Sequence, residues 1–235
     1  MAKIGLVVFP GSNCDRDIYH VLTNILSLKT EYLWHKTESI NKFDAIILPG
    51  GFSYGDRLRA GIIAAHSPIL GQIKKLAERG LPVLGICNGF QILVESGMLP
   101  GALLMNKGLH FVCKWARMEV LNTSTPFTSM LNDSEPINIP VAHGEGRYTV
   151  DQDTYEKLKK NKQIVFKYKG ENPNGSIDSI AGVCNYEGNV LGMMPHPERA
   201  SEQILMPDGL TNNAILIFKS LMHFLSREKQ LIQRR

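Results

Sequence analysis

The sequence predicts an α/β fold, a mainly parallel sheet with helices on both faces, within one domain over residues 1–235. Three observations carry this. Short continuous apolar runs recur at Ile4–Phe9, Asp44–Leu48 and Pro82–Ile86, as strands covered on both faces require. Two of the runs stop at Pro-Gly turns (Pro10-Gly11 and Pro49-Gly50-Gly51), and amphipathic helical stretches separate the three. The chain has 235 residues, enough for one sizeable core, and contains no internal repeat or low-complexity linker.

The elements follow in order. After the first strand, Ser12 or Asn13 can cap a helix to about Ser27, with Ile18, Val21, Leu22, Ile25 and Leu26 on one stripe. The second apolar run is a strand, and Ile62–Ala65 and Ile69–Arg79 are helical, the latter ended by Gly80. The third strand passes directly into a helix through Gln91, Ile92, Val94 and Glu95. Residues 105–150 turn irregular and β-like. Strands follow at Ile164–Tyr168, Ile180–Asn185 and Val190–Met194, the last two joined by a hairpin signal at 186–189. A final helix covers about Asn212–Ser226.

Composition narrows the function classes. Hydrophobic residues make up 43% and charged residues 20%, which argues against disorder and coiled coil. No apolar stretch approaches the roughly 18 residues a membrane span needs. Ile4–Phe9 is too short for a secretory leader and lacks a cleavage site, so a cytoplasmic protein is expected. The net charge is +4, with the basic residues concentrated at Lys157–Lys169 and in the tail Arg227, Lys229, Arg234 and Arg235. Without a recognition element these predict solvated surface rather than nucleic-acid binding. Cys14, Cys87, Cys113 and Cys184 form no C-x-x-C pair, which fits reduced thiols and no zinc ribbon. No metal-ligand spacing and no G-x-x-x-x-G-K-[ST] phosphate loop occurs.

The sharpest chemistry lies at Gly85-Ile86-Cys87-Asn88-Gly89, between a strand and a helix. This is a nucleophile elbow with sulfur in place of the usual hydroxyl. The tight turn requires glycines two residues either side, and the helix N-terminus favours thiolate, so the Cys87 pKa is expected below about 8.5. A base is offered by His196. Pro197 biases it toward extended backbone, where positions i and i+2 share a side, so His196 and Glu198 can face one pocket. The Asn88 amide and the Pro49-Gly50-Gly51-Phe52 turn at a neighbouring strand end provide oxyanion donors. Together these predict cysteine-based acyl transfer.

Six stretches then point to a family: FPGSNCDRD (9–17), LPGGFSYGDRLRAG (48–61), GICNGFQIL (85–93), VAHGEGRY (141–148), NPNGS (172–176) and LGMMPHPERA (191–200). With them the chain resembles the triad-type class I glutamine amidotransferases, whose domain is flavodoxin-like. More narrowly it is similar to the glutaminase subunits of phosphoribosylformylglycinamidine synthase, in purine biosynthesis. The resemblance implies that Cys87 attacks the glutamine carboxamide, His196 shuttles protons and Glu198 orients it. It further implies that the Gly51 and Asn88 amides hold the oxyanion, and that Gln91, the backbone around Phe52, and His143 contact glutamine. For His143, Glu145 and Arg147, lining the pocket, docking a partner and closing a surface turn all stay open. The implied partners are an ATP- and magnesium-dependent synthetase subunit and a small adapter subunit, with no cofactor or metal in this chain. Two other readings stand beside this one. One is a triad amidotransferase serving carbamoyl phosphate, guanylate or imidazole-glycerol synthesis. The other is a non-catalytic flavodoxin-like module that holds a phosphate at Pro10-Gly11-Ser12-Asn13.

Overall fold

A computed structural model describes residues 2–233. The strands are β1 (Lys3–Val8), β2 (Lys29–Trp34), β3 (Ala45–Leu48), β4 (Val83–Ile86), β5 (Ala102–Leu104), β6 (Val112–Val120), β7 (Ile137–His143), β8 (Arg147–Thr149), β9 (Ile164–Tyr168), β10 (Ile180–Cys184) and β11 (Val190–Met193). The helices are α1 (Asp15–His20), α2 (Ile62–Ala65), α3 (Pro68–Ala77), α4 (Asn88–Glu95), α5 (Gln152–Lys160) and α6 (Ile215–Gln233).

Nine strands form one sheet in the order β2-β1-β3-β4-β11-β10-β9-β6-β7. From β2 to β11 every pairing is parallel, and from β11 to β7 every pairing is antiparallel. β5 and β8 form a separate antiparallel pair. The parallel strands carry the apolar runs of the sequence. All four residues of each of β3, β4 and β11 are buried, as strands with both faces covered must be. α4 packs on β3, β4 and β11, and α1 on β1. The buried apolar side chains form one cluster from Ile4 to Leu225.

Four differences from the sequence reading have physical causes. β2 was not expected: its KTE start reads as polar, but it is an edge strand, where charged residues are tolerated, and Glu31 there pairs with Lys3 and Lys42. The first helix is not capped by Ser12 or Asn13. Cys14 is its N-cap, without a side-chain capping bond to the helix, while Ser12 Oγ accepts the Phe9 amide. That helix stops at His20 and continues as a π-helical segment, Val21–Ile25. The tail is not only solvated surface: α6 continues to Gln233, and Lys229 Nζ lies 2.8 Å from Asp44 Oδ2. Arg234 and Arg235 lie outside the described residues. Most of the Lys157–Lys169 group is exposed, and Lys167 pairs with Asp178. Among the described residues no helix is long and apolar enough to cross a membrane.

Candidate active site

The elbow forms where the sequence places it. β4 ends at Ile86, α4 begins at Asn88, and Cys87 between them has φ 51° and ψ −105°. A side chain in that region costs about 1–3 kcal/mol, so the surroundings must impose it. They do so through the backbone: the Cys87 amide donates to Met193 O at 2.8 Å, and its carbonyl accepts the Phe90 and Gln91 amides at 3.0 and 3.1 Å. The expected glycines are sterically required. A Cβ on Gly89 would overlap the Leu48 carbonyl, and one on Gly85 would lie 2.7 Å from Gly89. Cys87 Sγ comes to rest 3.7 Å from Ala142 O.

His196 follows β11, its amide donating to Pro140 O at 2.9 Å, and Pro197 opens a 3-10 turn over Pro197–Ala200. The two-residue spacing brings the side chains together as predicted: His196 Nδ1 and Glu198 Oε1 are 2.6 Å apart, and both side chains are buried. The Cys87 and Cys14 sulfurs also lie against the imidazole, whose Nε2 is buried without a completed hydrogen bond. Burial disfavours the charged ring, but the Glu198 carboxylate and then the two sulfurs outweigh it. The His196 pKa is therefore held well above the usual range. The arrangement is built to hold an imidazolium beside the Cys87 sulfur.

The turn at 49–52 is shaped by the loop after β1. Gly50 O accepts the Asn13 and Cys14 amides, at 3.4 and 3.3 Å, and the Phe52 and Tyr54 amides donate to Gly11 O and Pro10 O. The loop that could have cradled a phosphate is thus committed to bracing this turn. Two amides are left over: among the described residues neither the Gly51 nor the Asn88 N–H has a protein acceptor. The Phe52 amide is already used, so it is the Phe52 ring, 46% exposed, that lines the pocket mouth, 6.4 Å from the Phe111 ring.

Gly51, Phe52, Asp56, Cys87, Gln91, Phe111 and residues 142–145 enclose a pocket of about 110 Å³. A larger groove of about 550 Å³, along 107–114 and 171–175, contains no triad residue, and chemistry rather than size selects the smaller one. Gln91 does line the pocket, but its amide is engaged: Nε2 donates to Glu145 O at 2.7 Å and Oε1 accepts from Asn88 Nδ2 at 2.8 Å.

His143 is buried in the wall, and its protonation can be argued. Asn106 Nδ2 donates to the carbonyls of His110 and His143, and its Oδ1 accepts the Gly146 amide at 3.0 Å, which fixes the amide's orientation. The His143 nitrogen facing that oxygen at 3.2 Å, Nδ1, therefore carries the proton. Nε2 is left as a buried acceptor without a partner. Burial, reinforced by His196, lowers the His143 pKa to about 4, so the ring is neutral. The NPNGS stretch braces the same wall: Asn174 Nδ2 donates to Gly146 O at 2.7 Å, and Ser176 Oγ accepts the Tyr148 amide at 2.9 Å. Arg147 instead faces outward, to Met105 O.

Two features escaped the sequence reading. Asp56 lines the pocket with Glu145, and its pKa is pushed up to about 6 by burial and by that neighbouring carboxylate, against a hydrogen bond from Asn88. No Lys or Arg is among the lining residues, so the pocket is suited to a cationic group. The run FSYGD held Asp56 in plain view, but only the fold pairs it with Glu145. Second, a metal-ligand group does assemble: one donor atom each from Cys14, His196 and Glu198 lie within 4.8 Å of one another. Their positions in the chain gave no spacing signal.

With this geometry in place, comparison with known proteins decides the family. Residues 1–225 match the model of the CobB/CobQ-like glutamine amidotransferase domain. The chain belongs to that family. This glutamine amidotransferase is similar to a chain in the structure of PurLQS from Thermotoga maritima, at 45% identity over 95% of this chain and 99% of that one, with a TM-score of 0.85. It shares its fold with a second glutamine amidotransferase from Thermotoga maritima, at 15% identity over 99% and 97% of the two chains and a TM-score of 0.56. The elbow, the histidine–carboxylate pair and the acidic pocket are thus features of an amidotransferase, in an α/β, flavodoxin-like fold.

Proposed function

We propose that this amidotransferase is the glutaminase subunit of phosphoribosylformylglycinamidine synthase. The observation that carries the reading is the strained Cys87 beside the buried His196–Glu198 pair, in a chain 45% identical to one in PurLQS. His196 takes up the Cys87 thiol proton, the sulfur attacks the carboxamide carbon of glutamine, and the Gly51 and Asn88 amides receive the oxygen as it becomes negative. His196 gives a proton to the departing nitrogen, ammonia leaves, and a glutamyl thioester remains. Water then attacks the thioester with His196 as base, releasing glutamate and restoring the thiol. Glu198 holds the ring and its charge throughout.

Asp56 and Glu145 take the substrate's α-ammonium, Gln91 and the Phe52 ring shape the pocket, and the acceptor Nε2 of His143 receives an N–H of the carboxamide. Ammonia passes to an ATP- and magnesium-dependent synthetase subunit, joined by a small adapter subunit, where formylglycinamide ribotide becomes the amidine. The setting is cytoplasmic, in keeping with four free cysteines.

The test is glutamate release from glutamine by this chain and by Cys87→Ala, each mixed with the synthetase and adapter subunits, formylglycinamide ribotide and ATP. Release by the unmodified chain alone, rising when acceptor and ATP are present, is expected. Release that needs a different acceptor system moves the protein to another amidotransferase. Undiminished release by Cys87→Ala overturns the chemistry.

A further inference from the structure

We infer that Cys14, His196 and Glu198 form an inhibitory binding site for a thiophilic divalent cation of the zinc and cadmium class. The glutaminase reaction gives Cys14 no chemical step, yet it sits 2% exposed beside the two catalytic candidates, themselves 1% and 2% exposed. Its position is enforced from the backbone: it caps α1, and its amide donates to Gly50 O. A Cβ on Gly50 would lie 2.9 Å from both Cys14 Sγ and His196 Cε1, so sulfur and imidazole face each other across a bare glycine.

Sulfur, imidazole nitrogen and carboxylate oxygen form a donor set suited to zinc. The three donors lie within 4.8 Å of one another. Metal–ligand bonds of about 2.0–2.3 Å at tetrahedral angles need donors about 3.3–3.6 Å apart, so side-chain adjustments of about 1 Å suffice. Glu198 already faces His196 Nδ1 at 2.6 Å, so the ion takes the place of the proton they share, and Glu198 Oε2 is buried without a hydrogen-bond partner. Such an unsatisfied buried oxygen is costly, and a cation relieves it.

The charges balance as well. A dication with the Cys14 thiolate, neutral imidazole and the Glu198 carboxylate is neutral overall. Burial raises the Cys14 thiol pKa, and Arg199 Nη2, 3.1 Å from Cys14 Sγ, works against that rise, while Asp17, 3.3 Å from Arg199 Nε, balances the guanidinium charge. Binding releases two protons, one from the Cys14 thiol and one from the His196 imidazolium. The imidazole held by the cation no longer exchanges protons with Cys87 or the leaving group, so glutamine hydrolysis stops while the fold is unchanged.

The inhibition rests on the proposed glutaminase reading, whereas the binding does not, and two readouts separate them. Cobalt titrated into Cys87→Ala is expected to give a thiolate-to-cobalt absorption that is lost in Cys87→Ala with Cys14→Ser. The same absorption in the double variant overturns the site. Zinc is expected to inhibit glutamate release by the assembled complex, reversibly with chelator. In Cys14→Ser, scored against its own uninhibited rate, the half-inhibiting zinc concentration is expected to rise about tenfold or more. An unchanged concentration overturns the inference. Should position 14 tolerate neither Ser nor Ala, zinc-edge X-ray absorption on Cys87→Ala with Cys113→Ser reads the ligands with Cys14 intact. One sulfur with nitrogen and oxygen neighbours supports the site, and a shell without sulfur rejects it.

Discussion

The two halves of the sheet build opposite sides of one pocket by different means. The parallel half supplies Cys87, the 49–52 turn and, after β11, His196 and Glu198, all at or just past strand ends, with backbone strain at Cys87 and close backbone approach around it. The antiparallel half supplies β7 and the 143–146 loop, fixed by side-chain amides from Asn106 and Asn174. One side is set by sterics within short segments, the other by hydrogen bonds between segments far apart in the chain. The first should fail in turnover when altered, the second in binding and stability.

The largest effect is expected at the nucleophile: Cys87→Ala should lower kcat by about 10⁴-fold or more while leaving thermal unfolding close to normal. Glu198→Gln keeps the shape of the pair but cannot hold an imidazolium, and should cost about 10³-fold or more in kcat with little change in KM. On the opposite side, Asp56→Asn should raise KM for glutamine about tenfold with kcat nearly kept, since one charged contact is worth about 1.5–3 kcal/mol. A loss confined to kcat would place Asp56 with the chemistry instead.

Asn106→Ala strips partners from His143 and from the Gly146 amide, so it should lower stability by about 2 kcal/mol and loosen glutamine binding. The last effect is a pH dependence of stability, similar in size. His143 has a folded pKa of about 4, while the unfolded chain takes up its proton near pH 6.5. Stability from this group is complete above pH 6.5 and is lost as pH falls toward 4, by about 2 kcal/mol between pH 7 and 5. Urea midpoints at those two pH values should converge in His143→Asn, and an unaltered difference would show that another group sets the slope.

The same contrast explains what was legible beforehand. Cys87, Gly89, His196 and Glu198 declare themselves because elbow chemistry and the two-residue spacing are local rules, and the buried parallel strands announce themselves as apolar runs. β2 was hidden by its charged residues, and the carboxylate pair of Asp56 with Glu145 by the 88 residues between its members. Nothing local to Asn106 or Asn174 says that their amides hold a wall together. Cys14 belongs to no C-x-x-C pair, and only the closing of the sheet carries it to His196.

Gly50 has a consequence for how such a protein can change over generations. A single added methyl there meets the Cys14 sulfur, the His196 ring and the Cys87 Cβ at once. Any side chain at this position collides with the reacting groups themselves. The amide-stitched wall is different: its links can be exchanged one at a time, each at modest cost. New acceptors, new partners and new control over when glutamine is admitted should therefore arise by drift in the antiparallel half, around a cysteine and histidine that lineages can only keep or lose.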